Sequence, residues 1–152
     1  MALFLVQHGI SAPREKDPEK GLSQQGVAET NRIASVAKGY DIPVAKILHS
    51  GKKRAEQTAA IFAQALNTPM EKVLGIHPLD DVRAFSDVID PRANWMVVGH
   101  LPFMERLVSF LVTGNDDIRV YQFQNSGIVC LDFREQGELD WFIKWTLNPH
   151  IS

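Results

Sequence analysis

The sequence predicts an α/β fold: a mostly parallel central sheet flanked by helices on both faces, with an antiparallel hairpin at its C-terminal end. Three observations predict it. The apolar run Ala2-Leu3-Phe4-Leu5-Val6 reads as a buried strand, and Ala45–Leu48 and Trp95–Gly99 read the same way. Segments of helical periodicity fall between these runs, and such alternation implies a parallel sheet covered on both sides. The pattern is different in the last part of the chain, where Ile128–Phe133 and Leu139–Trp145 flank Gln136-Gly137 and read as a hairpin.

Each element has its own signals. After the first strand, Arg14–Lys20 is a charged loop. Ser23 is a candidate N-cap for a helix to about Lys38, with Val27, Ala34 and Ala37 on one face and Gly39 as the stop. The second strand ends at His49-Ser50-Gly51. A helix follows from about Lys53 to Leu66, with Ala55, Ala59, Phe62 and Leu66 at helical spacing. Val73–Ile76 reads as a short strand, and Val82, Phe85 and Ile89 as a brief helix. Pro102 fits the first turn of a helix that turns Met104, Leu107, Val108 and Leu111 inward.

The chain has 152 residues, which predicts one domain over 1–152 with enough apolar content for a core. A net charge of −2 leaves no basic footprint for nucleic acid. The single cysteine, Cys130, can form neither an internal disulfide nor a thiolate cluster, and reads as a small core residue. The start shows no signal-peptide pattern and no run is long enough to span a membrane, so the expectation is a cytoplasmic protein.

In a sheet of this kind, ligands bind beyond the carboxyl ends of the strands. Those ends are Gln7-His8-Gly9, His49-Ser50-Gly51-Lys52-Lys53-Arg54 and Gly99-His100-Leu101-Pro102. They bring two or three histidines and an arginine to one rim. Arg54 falls in the first turn of its helix, where the positive dipole end favours an anion. Its forked donors match phosphate oxygens. A histidine on a strand tip can act as a nucleophile and carry a phosphoryl group, and Gly9 behind it would let the chain turn and a ligand approach. No His-x-x-x-His pair and no thiolate cluster supports a metal site. His49 stands at a strand end without a motif of its own, and His77 and His150 read as loop or surface residues.

Taken in order, these pieces resemble the histidine phosphatase superfamily, with its phosphoglycerate-mutase-like fold. Gln7-His8-Gly9 is similar to the family's Arg-His-Gly signature. Leu22-Ser23-Gln24-Gln25-Gly26-Val27-Ala28 resembles its Leu-(Ser/Thr)-x-x-Gly helix start. Ser50-Gly51-Lys52-Lys53-Arg54-Ala55-Glu56-Gln57-Thr58-Ala59 resembles its Ser-Pro-x-x-Arg-Ala-x-Gln-Thr-Ala block, and Val97-Val98-Gly99-His100 its second-histidine motif. The short length and Gly99-His100-Leu101-Pro102 are most like the small SixA-type phosphohistidine phosphatases.

The resemblance implies that His8 is a nucleophile that becomes phosphorylated. It implies that Arg54 clamps phosphoryl oxygens and that His100 donates a hydrogen bond to them. Gln7, Gly9 and Ser50 would complete the substrate-binding set, with no metal and no cofactor. The implied partner is a phosphorylated protein of the histidine-phosphotransfer type or a small phosphorylated molecule. Asp80 and Asp81 are the candidates for a general acid, which a phosphohistidine substrate would not require because its imidazole leaving group titrates near neutral pH. About forty residues separate Thr58 from Gly99, leaving little chain for a lid and suggesting a cleft open to a protein substrate.

Two positions depart from the pattern. Gly51 replaces a proline, which reads as a change in loop stiffness. Gln7 replaces the first phosphate-binding arginine and brings neither charge nor fork. Arg14, Lys52, Lys53 and Arg83 are the sequence's candidates for a substitute. Three functions stay open on the sequence: a phosphohistidine phosphatase weakened at Gln7, an ester phosphatase for small molecules, and a non-catalytic phosphoryl-binding regulator.

Overall fold

A computed structural model describes residues 1–135 and 141–151. In chain order the elements are β1 (Ala2–Gln7), α1 (Gln24–Gly39), β2 (Lys46–His49), α2 (Lys53–Leu66), β3 (Met70–Lys72), α3 (Val82–Ser86), β4 (Trp95–Gly99), α4 (Phe103–Thr113), β5 (Ile128–Phe133) and β6 (Trp141–Leu147). They form a six-stranded sheet in the order β3-β2-β4-β1-β5-β6. The pairs β2–β3, β2–β4 and β1–β4 are parallel, whereas β1–β5 and β5–β6 are antiparallel. This is the expected architecture. The expected turn Gln136-Gly137 and Leu139 lie outside the described residues.

The inner strands β1, β2, β4 and β5 are largely apolar because both faces of the sheet are covered there. Phe4, Val6, Ile47, Met96, Val98, Ile128 and Cys130 pack with Ile33, Ala34 and Ala37 of α1 and Ala55, Ala59 and Phe62 of α2. Leu3, Leu5, Leu48, Val97, Val129 and Leu131 point the other way, onto Val82 and Phe85 of α3 and Phe103, Met104, Leu107 and Val108 of α4. Alternate residues of each strand thus feed two cores. Cys130 is buried in the first of these, as expected.

Two local expectations need correction. The third short strand is Met70–Lys72, not Val73–Ile76. It is an edge strand, largely open to solvent, so it carries no apolar run. The chain turns at Gly75 (φ 91°), and Ile76 drops into the core beside α3. In α1 the inward stripe is Gly26, Thr30, Ile33, Ala34 and Ala37, and Val27 faces out. The reason is the approach of Gly26 to Ile10: a Cβ at position 26 would lie 2.1 Å from the Ile10 carbonyl oxygen. Ser23 holds this junction as the N-cap, accepting from Gly26 N and donating to Ile10 O, each at 3.0 Å.

Phe62 is fully buried where α2 meets the sheet. Phe62→Ala should cost about 3–5 kcal/mol, read as a lower urea midpoint at unchanged slope. A loss below about 1 kcal/mol would mean that α2 does not seat on this core.

Candidate active site

His8 follows directly on β1. Its backbone N–H continues the β1–β4 ladder, donating to Gly99 O at 3.0 Å, and its carbonyl accepts from Asn125 Nδ2 at 2.8 Å. The ring is fixed as well. Nδ1 lies 2.7 Å from Gly9 O, and a carbonyl can only accept, so Nδ1 carries the proton. Nε2 is then the atom with the lone pair. Arg54, in the first turn of α2, points Nε at it from 3.3 Å.

Gly9 is required for space rather than for an unusual turn. It has no positive φ, but a Cβ there would lie 2.8 Å from Thr30 Oγ1 and 3.1 Å from Ser126 Oγ. Those two hydroxyls bond each other at 2.7 Å directly behind the loop. Gly9 N donates to Thr58 Oγ1 at 2.9 Å, which ties the nucleophile loop to α2. Thr30 and Asn125 are supports that the sequence does not advertise individually. Thr58 belongs to the Gln-Thr-Ala block, and Ser126, which reads from sequence as a turn residue before a strand, is placed behind the nucleophile loop.

His100 follows β4, and its ring centroid lies 5.0 Å from that of His8. Ser50, at the end of β2, bonds His100 Nε2 at 2.6 Å. Lys52 N donates to Ser50 Oγ at 3.3 Å, and the hydroxyl keeps its own proton free to give to Nε2. In that tautomer the proton of His100 is on Nδ1, a buried atom with no hydrogen-bond partner among the described residues. A buried N–H without a partner is costly unless something is meant to meet it. His8, Arg54, His100 and Ser50 are brought together beyond the ends of β1, β2 and β4. Gln7 gives its backbone carbonyl to Ser126 N at 2.9 Å, and its side chain makes no hydrogen bond among the described residues.

Burial is the main cause that lowers His8 to about 4, reinforced by the charges of Arg54 and Lys20 and opposed by the bond to Gly9. Burial likewise lowers His100 to about 3, followed by His8, Arg54, Lys52 and His77. Both rings are neutral at pH 7. Burial and the nearby Arg14 also hold Arg54 below the usual guanidinium range, though it stays charged. Lys52 gives α2 no side-chain cap, so the positive end of the helix dipole is left open beside Arg54. The arrangement joins a neutral imidazole lone pair, a fixed guanidinium and an unpartnered N–H, which together suit a tetrahedral oxyanion.

The sequence model of the histidine phosphatase superfamily (branch 1) matches residues 3–77. The chain is 27% identical to the phosphohistidine phosphatase SixA of Escherichia coli K12, over 98% of this chain and 94% of that one. It is 32% identical to an uncharacterized protein of Picosynechococcus, over 67% of each. A solved structure of the protein histidine phosphatase SixA with tungstate superposes with a TM-score of 0.84 at 27% identity, covering 98% of this chain and 97% of the other. The chain belongs to the histidine phosphatase superfamily.

Within that superfamily the departures at this site have structural consequences. Gly51, where the family pattern has proline, adopts φ 89°. Proline is locked near −65° and cannot follow this path. Gly51 N also donates to His49 Nδ1 at 3.1 Å, a bond proline could not make. The substitution thus alters the loop's route and gives His49 a local task, beyond a change in stiffness. Both candidate acids have local tasks too. Asp80 Oδ2 accepts from His77 N at 2.8 Å, and Asp81 caps α3 by accepting from Arg83 N at 2.9 Å. Lys53 is held by Asp17 at 2.8 Å and Glu19 at 3.7 Å, and Arg83 lies over the Phe110 ring. Neither is left to replace an arginine at position 7. His150 pairs with the buried Glu29 at 2.5 Å. Among the described residues, no three His, Cys, Asp or Glu side chains group as a metal would require.

Nitrogen-resolved NMR of the histidine rings should find His8 and His100 both neutral at pH 6, each with its proton on Nδ1. With folded values of about 4 and 3, protonation begins only below pH 5. Either ring titrating between pH 6 and 7, or a proton on Nε2 of His8, would contradict this geometry.

Proposed function

We propose that this protein removes the phosphoryl group from a phosphorylated histidine on another protein, through a covalent phosphohistidine on His8. The observation that carries the reading is the Gly9 carbonyl on His8 Nδ1, which leaves Nε2 as the attacking atom beside Arg54. In the first step Nε2 forms a bond to phosphorus as the phosphorus–nitrogen bond of the substrate breaks. The departing imidazole takes its proton from solvent. The phosphorylated His8 ring then bears positive charge, which its Nδ1–H shares with Gly9 O. In the second step water attacks phosphorus, the Nε2–phosphorus bond breaks, and inorganic phosphate leaves. Arg54 and the Nδ1–H of His100 hold the equatorial oxygens through both steps. Ser50 sets the tautomer of His100, and Gln7 and Gly9 complete the binding loop.

A histidine leaving group suits this site because Asp80 and Asp81, the candidate acids, each accept a backbone N–H of their own loop. An ester would need a general acid to protonate its oxygen, whereas imidazole leaves readily near neutral pH. A histidine-phosphotransfer-type protein is therefore the favoured partner. Similarity to SixA supports the same choice.

The test is to supply a phosphohistidine protein or phosphoramidate alongside phosphate esters. We expect turnover of the phosphoramidate class and an acid-labile adduct on His8, with both lost in His8→Ala. Gln7→Arg should raise turnover by up to about a hundred-fold, the scale of one restored oxyanion contact. Preferential ester turnover would favour an ester phosphatase. Tight oxyanion binding with neither adduct nor turnover would favour a binding protein.

A further inference from the structure

We propose that a groove between α2 and the edge strand β3 seats an acidic segment flanking the phosphohistidine of the substrate protein. This rests on the phosphohistidine reading above and deepens it, by naming what that substrate carries beside its phosphoryl group. The first observation is a cavity of about 650 Å³ that shares Arg54 with the His8 site. Gly51 and Lys52 border it beside Arg54. From there it follows the outer side of α2 through Gln57 to Ala60, and Met70 of β3 also lines it.

Its reach suits a polypeptide. The step from Arg54 to Ala60 rises about 9 Å along α2. That is the span of about three residues of extended chain. A phosphoryl group held by His8 and Arg54 leaves this length for the residues next to it. Ala60 and Met70 give the far end an apolar seat.

The near end is positive. Lys53 is paired with Asp17 and Glu19. Lys52 forms no salt bridge among the described residues and gives α2 no side-chain cap, so the positive end of the helix stays open beside it. Lys72 is brought to the same rim by Gly51. A Cβ at position 51 would lie 2.5 Å from Lys72 Cε and 2.7 Å from Cδ, so only glycine lets that stem lie across the loop. Lys72 also forms no salt bridge among the described residues. Of the acids that line the cavity, Glu19 is engaged by Lys53, which leaves Glu56 against Lys52, Arg54 and the neighbouring Lys72. This excess of positive charge beside the phosphoryl site complements a carboxylate next to the phosphohistidine.

The experiment uses three substrates: a peptide with aspartate and leucine around its phosphohistidine, the same peptide with lysine for aspartate, and phosphoramidate. The wild type should turn over the acidic peptide with a kcat/KM about ten-fold above that of the basic one. Ala60 is exposed, and Ala60→Trp fills the groove without entering the core. It should lower kcat/KM on the acidic peptide about ten-fold. Lys72→Glu should abolish the preference for the acidic peptide. Both variants should keep phosphoramidate turnover within about two-fold of wild type. Equal turnover of the two peptides by the wild type would overturn the proposal. So would an Ala60→Trp variant that spares the acidic peptide or slows phosphoramidate equally, or a Lys72→Glu variant that keeps the preference. If the wild type turns over phosphoramidate but neither peptide, the groove assignment is wrong while the chemistry at His8 stands. If it turns over none of the three, the phosphohistidine reading fails and the groove loses its occupant.

Discussion

The parallel pairing of β1 with β4 ends with Gln7 opposite Gly99, and the ladder runs one step further, from His8 N to Gly99 O. That register puts the first residue beyond each strand, His8 and His100, side by side. A slip of one residue would turn His8 to the opposite face of the sheet, away from Arg54 on α2. The two cores hold the register. Phe4 and Val6 are buried under α1 and α2, while Leu3 and Leu5 are buried under α3 and α4, so neither set can exchange faces without exposing apolar side chains.

On that frame the site is a set of neutral donors and acceptors around one permanent charge. Burial keeps both imidazoles unprotonated, which preserves the lone pair of His8 but removes two cations that a phosphoryl group could have used. Lys53 is neutralised by Asp17 and Glu19 in the act of strapping down the preceding loop.

Much of this was legible in the sequence. The strands that carry His8 and His100 are buried on both faces and so print continuous apolar runs, and the helix bearing Arg54 prints a stripe of small residues. What was not legible follows from context. The edge strand Met70–Lys72 has little to bury, so it has no apolar signature, and the apolar Val73–Ile76 beside it reads as a strand although Gly75 turns it into the core. Val27 looks inward by spacing alone, because the contact of Gly26 with Ile10 that rotates α1 depends on a loop thirteen residues from Ser23.

The central claim is that His8 Nε2 and His100 Nδ1 address one phosphoryl group. A crystal structure with tungstate or orthovanadate bound tests it most directly. The account predicts the metal of the oxyanion within bonding distance of His8 Nε2, with its oxygens taking hydrogen bonds from Arg54 and from His100 Nδ1. An anion seated away from His8, with His100 Nδ1 still without a partner, would contradict it.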